Sequence, residues 1–279
     1  MLTRRGFLGA VGAGALAAAC STEDGKGKVG GFELGIQSWS FRAFSLEDAL
    51  AMMNQLGLTR IELSPCDRLP GHLHFPEPVE ATDAMHAMIR DAGIDCVTSH
   101  IPLPLDGVNP EINRAAFEYA KRIGLHAILI DPPYEALDDL EALAVEFDIR
   151  VAIHNHTYSP RYVLPEHVLA VMEGRDKRIG ALCDTGHYTR AGVDPLEAMR
   201  MFGDRLYGVH LKDVAGVSMA APDAILGEGI LDLPGLFQTL RDVSFRSDAS
   251  LSIEYETNEY MPLDDLAVAI ANLRTAAAS

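Results

Sequence analysis

Polar side chains able to bind metal or move protons end five short apolar runs, on the same face of each run. In the run 151–156, for example, strand alternation places His154 and His156 on the face opposite the branched residues Val151 and Ile153. The residues selected in this way are His100, His154, His156, Asp184, His210, Lys212, Glu254 and Glu256. Burying such groups without partners costs several kcal/mol each, and one divalent cation compensates imidazoles and carboxylates together. The pattern therefore predicts a metal site.

Eight successive strand-then-helix units must position these side chains. The predicted strands are 33–39, 60–64, 94–100, 127–131, 151–156, 180–184, 206–212 and 250–256. The predicted helices begin near Ser45, Pro78, Pro110, Tyr134, Leu164, Pro195, Leu233 and Pro262. Some starts carry capping signals, such as Asn109 before Pro110 and Asp194 before Pro195. Strict alternation indicates parallel strands joined by crossover helices.

The number of units distinguishes between two α/β folds. Eight units in about 250 residues match a closed (β/α)₈ TIM barrel. An open, doubly wound sheet that binds a dinucleotide carries GxGxxG after its first strand, whereas the glycine pair of this chain, Gly227 and Gly229, comes late. We therefore predict a TIM barrel, in which catalytic groups lie at the C-terminal ends of the strands.

Four short segments carry a resemblance to a known superfamily. They are residues 183–187 (CDTGH), 209–213 (VHLKD), 227–232 (GEGILD) and 253–254 (IE). With them, residues 32–276 resemble the xylose isomerase-like TIM barrels, which include the sugar phosphate isomerases/epimerases and endonuclease IV. The resemblance implies one divalent metal held by side chains from strands five to eight. Carried over to this sequence, three of the ligands are Asp184, His210 and Glu254.

Strand five departs from the superfamily pattern, because His154 stands where a glutamate is usual. A neutral imidazole also binds divalent metals, so we expect Mn²⁺ first, with Zn²⁺ or Mg²⁺ as alternatives. The expected ligands are then His154, Asp184, His210 and Glu254. The epimerases of this group use two glutamates on opposite faces of the sugar. The loss of one carboxylate weighs against two-base epimerisation and leaves isomerisation or β-elimination, in which one base suffices.

The resemblance implies a metal-dependent sugar isomerase or epimerase that removes a proton next to a carbonyl. Glu254 is the expected base, with His156 or Glu256 as its proton partner. Lys212 is expected either to stabilise the oxyanion or to form a salt bridge with a neighbouring carboxylate. The expected substrate contacts are Trp39, Glu62, His100, Asp131 and His187. The histidines expected at the surface are His86, His126 and His167.

Two other functions stay open. One is a lyase or hydratase acting on 3-keto-glycosides or related oxidised sugars, which the missing glutamate favours. The other is a non-catalytic sugar-binding lipoprotein, since a fold does not fix a function. DNA repair is disfavoured, because 40 acidic residues against 23 basic ones give a net charge of −17 that repels phosphates. We expect a small carbohydrate as partner and no nucleic acid, and the sequence leaves the oligomeric state open.

The first residues have the pattern of an export signal. Arg4 and Arg5 precede an apolar run of small residues, so that residues 1–19 resemble a twin-arginine signal peptide. Residues 16–20 (LAAAC) resemble a lipobox, and a lipid on Cys20 is the one membrane contact that the sequence suggests. Residues 20–31 are then a flexible tether, and residues 32–279 are a catalytic domain in the periplasm, with lipidation of Cys20 left open.

Replacing both Arg4 and Arg5 by lysine tests the export signal. The double variant is expected to stay in the cytoplasm at full length, whereas the wild-type chain is cut after the apolar run and reaches the periplasm. Cell fractionation and immunoblotting measure both outcomes. Changing Lys26 and Lys28 to arginine is the matched control, which leaves export intact. Unprocessed wild-type protein found only in the cytoplasm contradicts the prediction.

Overall fold

The computed structural model describes residues 25–65, 75–101, 109–157, 159 and 161–279. Eight parallel strands close into a barrel, in which each strand pairs with the next and the last pairs with the first. The strands are β1 (Gly35–Gln37), β2 (Arg60–Leu63), β3 (Asp95–His100), β4 (Ala127–Ile130), β5 (Arg150–His154), β6 (Ile179–Asp184), β7 (Leu206–Leu211) and β8 (Ser250–Ile253). The predicted TIM barrel is confirmed.

Helices surround the barrel, and local capping signals define their ends. They are α1 (Leu46–Leu56), α2 (Val79–Asp91), α3 (Pro110–Ile123), α4 (Leu137–Phe147), α5 (Pro165–Met172), α6 (Thr185–Arg190), α7 (Pro195–Phe202), α8 (Leu233–Asp242) and α9 (Pro262–Ala277). Ser45 caps the start of α1, which ends at Gly57 in the left-handed conformation, with φ of 73°. The short α6 is not among the predicted helices, and Asp184, the last residue of β6, is its N-cap.

Apolar residues fill both sides of the barrel wall. Residues of the strands that face outward pack against the helices in one continuous core. A second cluster, on strands β4 to β7, consists of Leu129, Ala152, Leu182 and Tyr207. Gly208 makes room for it, because a Cβ there would lie 2.7 Å from Leu182 Cδ1. By strand alternation, His154 and Asp184 stand one step beyond Ala152 and Leu182, so this cluster is an apolar floor beneath them.

The first strand is shorter than predicted. β1 covers three residues, and Trp39 lies in a 3₁₀ turn, Ser38–Phe41, instead of ending the strand. Phe32–Glu33, which was expected to begin this strand, forms a separate antiparallel hairpin with Lys28–Val29. Apolar contacts at the N-terminal end of the barrel account for the difference, since Phe32 packs against Phe245.

The hairpin also moves the start of the folded domain. Val29 is 1% exposed, and Gly30 approaches Phe237 and Ala277 so closely that a Cβ would lie 2.9 Å from the latter. Residues 25–31, assigned from the sequence to a tether, are therefore part of the described fold. The predicted signal peptide at 1–19 and Cys20 lie outside the described residues. Within the described part of the chain, no helix combines the length and apolarity needed to cross a membrane.

His86, expected at the surface, is buried, with 4% of its surface exposed. It lies on the inner stripe of α2, whose buried residues are Thr82, Met85, His86 and Ile89. Its Nε2 atom is 2.9 Å from the hydroxyl of Tyr119 on α3. Burial, together with the charges of Arg90 and Arg122, lowers the pKa of His86 to about 4. The surface prediction was wrong because it overlooked the helical spacing of these four positions.

Acidification tests the buried state of His86. Its pKa of 6.5 in the unfolded chain falls to about 4 on folding, so its contribution to stability is complete above pH 6.5 and is lost as the pH falls towards 4. His86→Gln keeps a partner for Tyr119 and removes this dependence. The difference in unfolding free energy between wild type and variant should change by about 2 kcal/mol between about pH 7.5 and about pH 4.5.

Urea unfolding at the two pH values measures this change. His126→Gln, at an exposed position, is the matched control and should leave the pH dependence of stability as in the wild type. The prediction is contradicted when His86→Gln also runs parallel to the wild type.

Candidate metal centre

Four side chains converge at the C-terminal end of the barrel. His154 and Asp184 end β5 and β6, His210 lies near the end of β7, and Glu254 follows β8. One ligand atom of each lies within 4.8 Å of the other three. His210 Nδ1 is 3.1 Å from Glu254 Oε2, and Asp184 Oδ2 is 3.7 Å from His210 Nδ1 and 3.9 Å from His154 Nε2. The fold thus brings together the four residues that the sequence analysis names as ligands.

The four converging atoms lack hydrogen-bond partners within the described residues, although all four are buried. They are His154 Nε2, Asp184 Oδ2, His210 Nδ1 and Glu254 Oε2. An unpaired buried polar atom costs about 1–3 kcal/mol, so four at one point call for a common partner. Two imidazole nitrogens and two carboxylate oxygens form a donor set that suits Zn²⁺ or Mn²⁺. The residues present therefore fit a divalent metal.

The local fold around Asp184 directs one carboxylate oxygen at the cluster. Its Oδ1 atom caps α6 by accepting a hydrogen bond of 2.7 Å from the backbone N–H of His187. The side chain of Asn155 fixes the backbone of Asp184, accepting from its N–H at 2.7 Å and donating to its carbonyl at 3.1 Å. With one oxygen used as a helix cap, the other is left for a ligand.

Glu62 lies behind His210 and orients its ring. Glu62 is 1% exposed, and its Oε1 atom is 2.6 Å from His210 Nε2. Ser250 also donates a hydrogen bond to this carboxylate. Burial alone would raise the pKa of Glu62, but the charge and hydrogen bond of His210 hold it below its ordinary value. Metal-binding histidines are commonly held by a carboxylate in this way. The sequence analysis placed Glu62 at the correct strand end, and its contact with a substrate stays a prediction.

Lys212 is a buried ammonium group among carboxylates. Its Nζ atom is 2.7 Å from Glu256 Oε2, 3.2 Å from Glu254 Oε2 and 3.7 Å from Asp184 Oδ2. Burial would lower the pKa of Lys212, but these carboxylates raise it above its ordinary value. Trp39 donates a hydrogen bond of 2.9 Å from Nε1 to the other oxygen of Glu256. Because both its oxygens are engaged, Glu256 holds Lys212 in place.

The two acidic ligands keep their charge for a related reason. Burial would raise the pKa of Asp184 and of Glu254. The charge of Lys212 nevertheless holds the pKa of Asp184 well below its ordinary value. Lys212 and His210 lower that of Glu254 to about 2. Both carboxylates are therefore anionic at neutral pH.

Three further histidines surround His154. The ring centroids of His100, His156 and His187 lie 5.7, 5.8 and 6.0 Å from that of His154. Burial lowers the pKa of His100 and of His187 to about 3 and also lowers that of His156. His187 Nδ1 contacts the hydroxyl of Thr157. These imidazoles are therefore neutral at neutral pH.

A cavity of about 340 Å³ opens beside the cluster. Its lining includes His156, His187 and Glu256, together with Arg42, Arg190 and Asp223. His156, predicted as a proton partner, and His187, predicted as a substrate contact, both line the space that a substrate would enter. The two arginines were not predicted from sequence, because Arg42 lies in a turn and Arg190 ends the unpredicted helix α6, and both reach the mouth only in the folded chain.

Two residues at the strand ends have surroundings that the sequence analysis did not predict. Asp131 forms an ion pair with Arg161, with 3.4 Å between Oδ1 and Nε, so its substrate contact stays a prediction. Gln37 was overlooked. It is 2% exposed, pairs in register with Glu62, and its Oε1 atom has no partner within the described residues. Strand alternation was the available signal, since Gly35 lies on the inner face close to Ser252.

The glycine-containing loop at 227–232 is tied to the strand end beside Lys212. The carboxylate of Asp213, 1% exposed, accepts four backbone hydrogen bonds of 2.9–3.0 Å. The donors are the N–H groups of Val214, Gly227, Gly229 and Leu231. A Cβ on Gly229 would lie 2.2 Å from Asp213 Oδ1, which explains the glycine. The loop therefore supports the site through its backbone.

Comparison with known proteins agrees with this architecture. A model of the family described as xylose isomerase-like TIM barrel matches residues 50–276. The rhizopine catabolism protein MocC of Rhizobium meliloti is 28% identical over 158 residues, 51% of this chain and 48% of that protein. An inosose dehydratase of Clostridium botulinum is 24% identical over 145 residues, 46% of this chain and 48% of that enzyme. The chain spans about half the length of the curated relatives it matches.

Solved structures match over most of the barrel. A sugar phosphate isomerase/epimerase of Parabacteroides distasonis superposes with a TM-score of 0.68 at 16% identity, covering 91% of this chain and 96% of that one. The IOLI protein, whose structure holds a zinc atom, superposes with a TM-score of 0.65 at 17% identity, covering 87% and 95%. At identities this low, the superpositions show a shared fold and no more than that.

Asp184→Asn tests the metal centre, because asparagine keeps the cap of α6 but loses the ligand charge. Purified wild-type protein is expected to hold one metal per chain, and chelation should lower its unfolding temperature by about 5–10 °C. The variant should hold little metal and respond little to chelation. Elemental analysis and thermal unfolding measure both quantities.

Asp194→Asn is the matched control, since Asp194 caps α7 by accepting a hydrogen bond of 2.8 Å from the backbone of Leu196. It should bind metal like the wild type. Full occupancy in Asp184→Asn would show that the ligand assignment is wrong.

Proposed function

This chain belongs to the xylose isomerase-like TIM barrel family, and we propose that it is a metal-dependent enzyme that removes a proton next to the carbonyl of a sugar-like substrate. The observation that carries the proposal is the cluster of four unpartnered ligand atoms with the Lys212 ammonium beside it. A bound divalent cation supplies Lewis acidity, which polarises a carbonyl and acidifies the neighbouring C–H bond.

The residues of the chain divide the proton work between them. Glu254, anionic at neutral pH, is the base. Lys212 keeps its proton, because the surrounding carboxylates raise its pKa, and it stabilises the oxygen on which negative charge develops. Glu256 and Trp39 hold Lys212 in position. His156, neutral and at the cavity wall, is the alternative proton acceptor.

We favour β-elimination as the outcome of proton removal. His154 supplies no carboxylate on its side of the site, so Glu254 has no acidic counterpart there. In a syn elimination one group suffices: the carboxylate takes the proton from carbon, the C–O bond at the next carbon breaks, and the same carboxyl group protonates the departing hydroxide to give water. The name of one relative, inosose dehydratase, supports loss of water from a ketone. The substrate class proposed is thus a keto-polyol or oxidised glycoside.

Isomerisation between an aldose and a ketose is the second candidate. It uses the same proton removal, followed by return of the proton at the neighbouring carbon on the same side. The sugar phosphate isomerase/epimerase that shares the fold supports it. We further propose, from Arg4 and Arg5 and the apolar run after them, that the enzyme acts in the periplasm.

Incubation in D₂O tests proton removal and its outcome together. Metal-loaded protein is offered inososes, 3-keto-glycosides, aldoses and ketoses, and products are followed by NMR and mass spectrometry. We expect deuterium at the carbon next to the carbonyl or loss of 18 mass units as water from an inosose or 3-keto-glycoside, about 10²–10³ times slower in Lys212→Met.

Lys177→Met, which changes an exposed lysine, is the control and should keep the wild-type rate. Exchange with a rearranged aldose or ketose as the sole product would favour isomerisation. No exchange with any compound, in protein shown to hold metal, would contradict the proposed function.

A further inference from the structure

The two arginines that line the cavity are already matched by carboxylates. Arg42 Nε is 3.0 Å from Glu259 Oε2, and Arg42 also donates hydrogen bonds to the carbonyls of Trp39 and Glu256. Arg190 donates from Nη2 to Asp223 Oδ1 at 2.7 Å and from Nε to a backbone carbonyl at 2.9 Å. Both side chains of the Arg190 pair are largely buried, with 11% and 15% exposed. Each guanidinium is thus neutralised within the protein.

The remaining positive charges of the mouth are balanced in the same way. Lys212 is paired with Glu256 at 2.7 Å. Arg161, beyond the end of β5, is paired with Asp131 at 3.4 Å. A divalent cation in the cluster would meet the two negative charges of Asp184 and Glu254. Among the described residues around the mouth, no positive charge is left over for an anionic substrate.

We propose that the site takes an uncharged polyhydroxy carbonyl compound and excludes sugar phosphates. A phosphate group carries almost two negative charges and is bound where arginines, lysines or N–H groups outnumber acids. Here it would have to displace the half-buried carboxylate of Glu259 from Arg42 or the largely buried carboxylate of Asp223 from Arg190. The second carboxylate oxygen of Asp223, whose Oδ1 accepts from Arg190, instead offers an acceptor to a hydroxyl group. This inference rests on the proposed function, whose substrate class it narrows.

The cavity has the size of a single ring. Its volume of about 340 Å³ lies near the lower end of the range of about 300–1,000 Å³ that small-molecule sites occupy. A cyclic keto-polyol or a 3-keto sugar, with hydroxyl groups on most carbons, meets both the size and the charge of this space.

Asp223→Asn is the decisive variant, because it frees the Arg190 guanidinium without changing the shape of the pair. In metal-loaded wild-type protein, calorimetry should give weaker binding for D-fructose 6-phosphate than for D-fructose or an inosose. In Asp223→Asn the affinity for the phosphate ester relative to D-fructose should rise about tenfold. Asp148→Asn, which removes one of the two carboxylates paired with Arg178 at the opposite end of the barrel, should leave that ratio unchanged.

A second measurement decides the question even when none of these sugars binds. Inorganic phosphate, compared with chloride at equal ionic strength, should raise the unfolding temperature of chelator-treated Asp223→Asn but not that of the wild type or Asp148→Asn. Stabilisation of the wild type by phosphate, or none in Asp223→Asn, would overturn the inference. Deuterium exchange into D-fructose 6-phosphate alone would overturn it too, while leaving the proposed proton abstraction standing.

Discussion

Placing two carboxylates and two imidazoles within 4.8 Å of one another inside a barrel is electrostatically costly, and much of the surrounding structure acts to lower that cost. Lys212 lies against both acidic ligands, and Glu62 lies against the far side of His210. Among the described residues, the ligand atoms themselves have no hydrogen-bond partner. The neighbouring charges thus make the cluster tolerable in the folded chain, and the four unpaired atoms leave one position for a cation.

The ligands at the strand ends lie between an apolar layer below them and a set of supporting polar residues around them. An apolar floor lies one residue pair below His154 and Asp184, so their side chains project from a rigid layer. Outside the ligands stands a ring of supporting contacts, made by Asn155, Glu62 and Glu256. Each of these has at least one hydrogen bond to a ligand residue or to Lys212. Small displacements are therefore resisted from two sides, as a site that must pre-position charge requires.

Much of the fold and the inner site could be predicted from sequence, because both depend on local periodicity. Alternation along the strands selected His154, Asp184, His210 and Glu254, and strand alternation with helices gave eight units. Features that depend on contacts across the barrel were not accessible in this way. The hydrogen bond between Glu62 and His210 joins residues 148 positions apart, and the Arg190–Asp223 pair joins residues 33 positions apart. The shortened first strand followed from packing of Phe32 beneath the barrel.

The hydrogen bonds to Asp213 hold the loop 227–232 through its backbone, so most side chains of the loop take no part in holding it in place. The four donors to Asp213 are main-chain N–H groups, and within the loop the absence of a Cβ is required at Gly229 and at Gly227, which has a φ of 88°. Ile230, by contrast, is 49% exposed, and its side chain takes no part in these hydrogen bonds. Exposed residues of this loop can therefore be substituted while the end of β7 keeps its position. Related barrels can then differ in the substrates that they recognise while they keep the same residues at the strand ends. A protein engineer can change the same exposed positions.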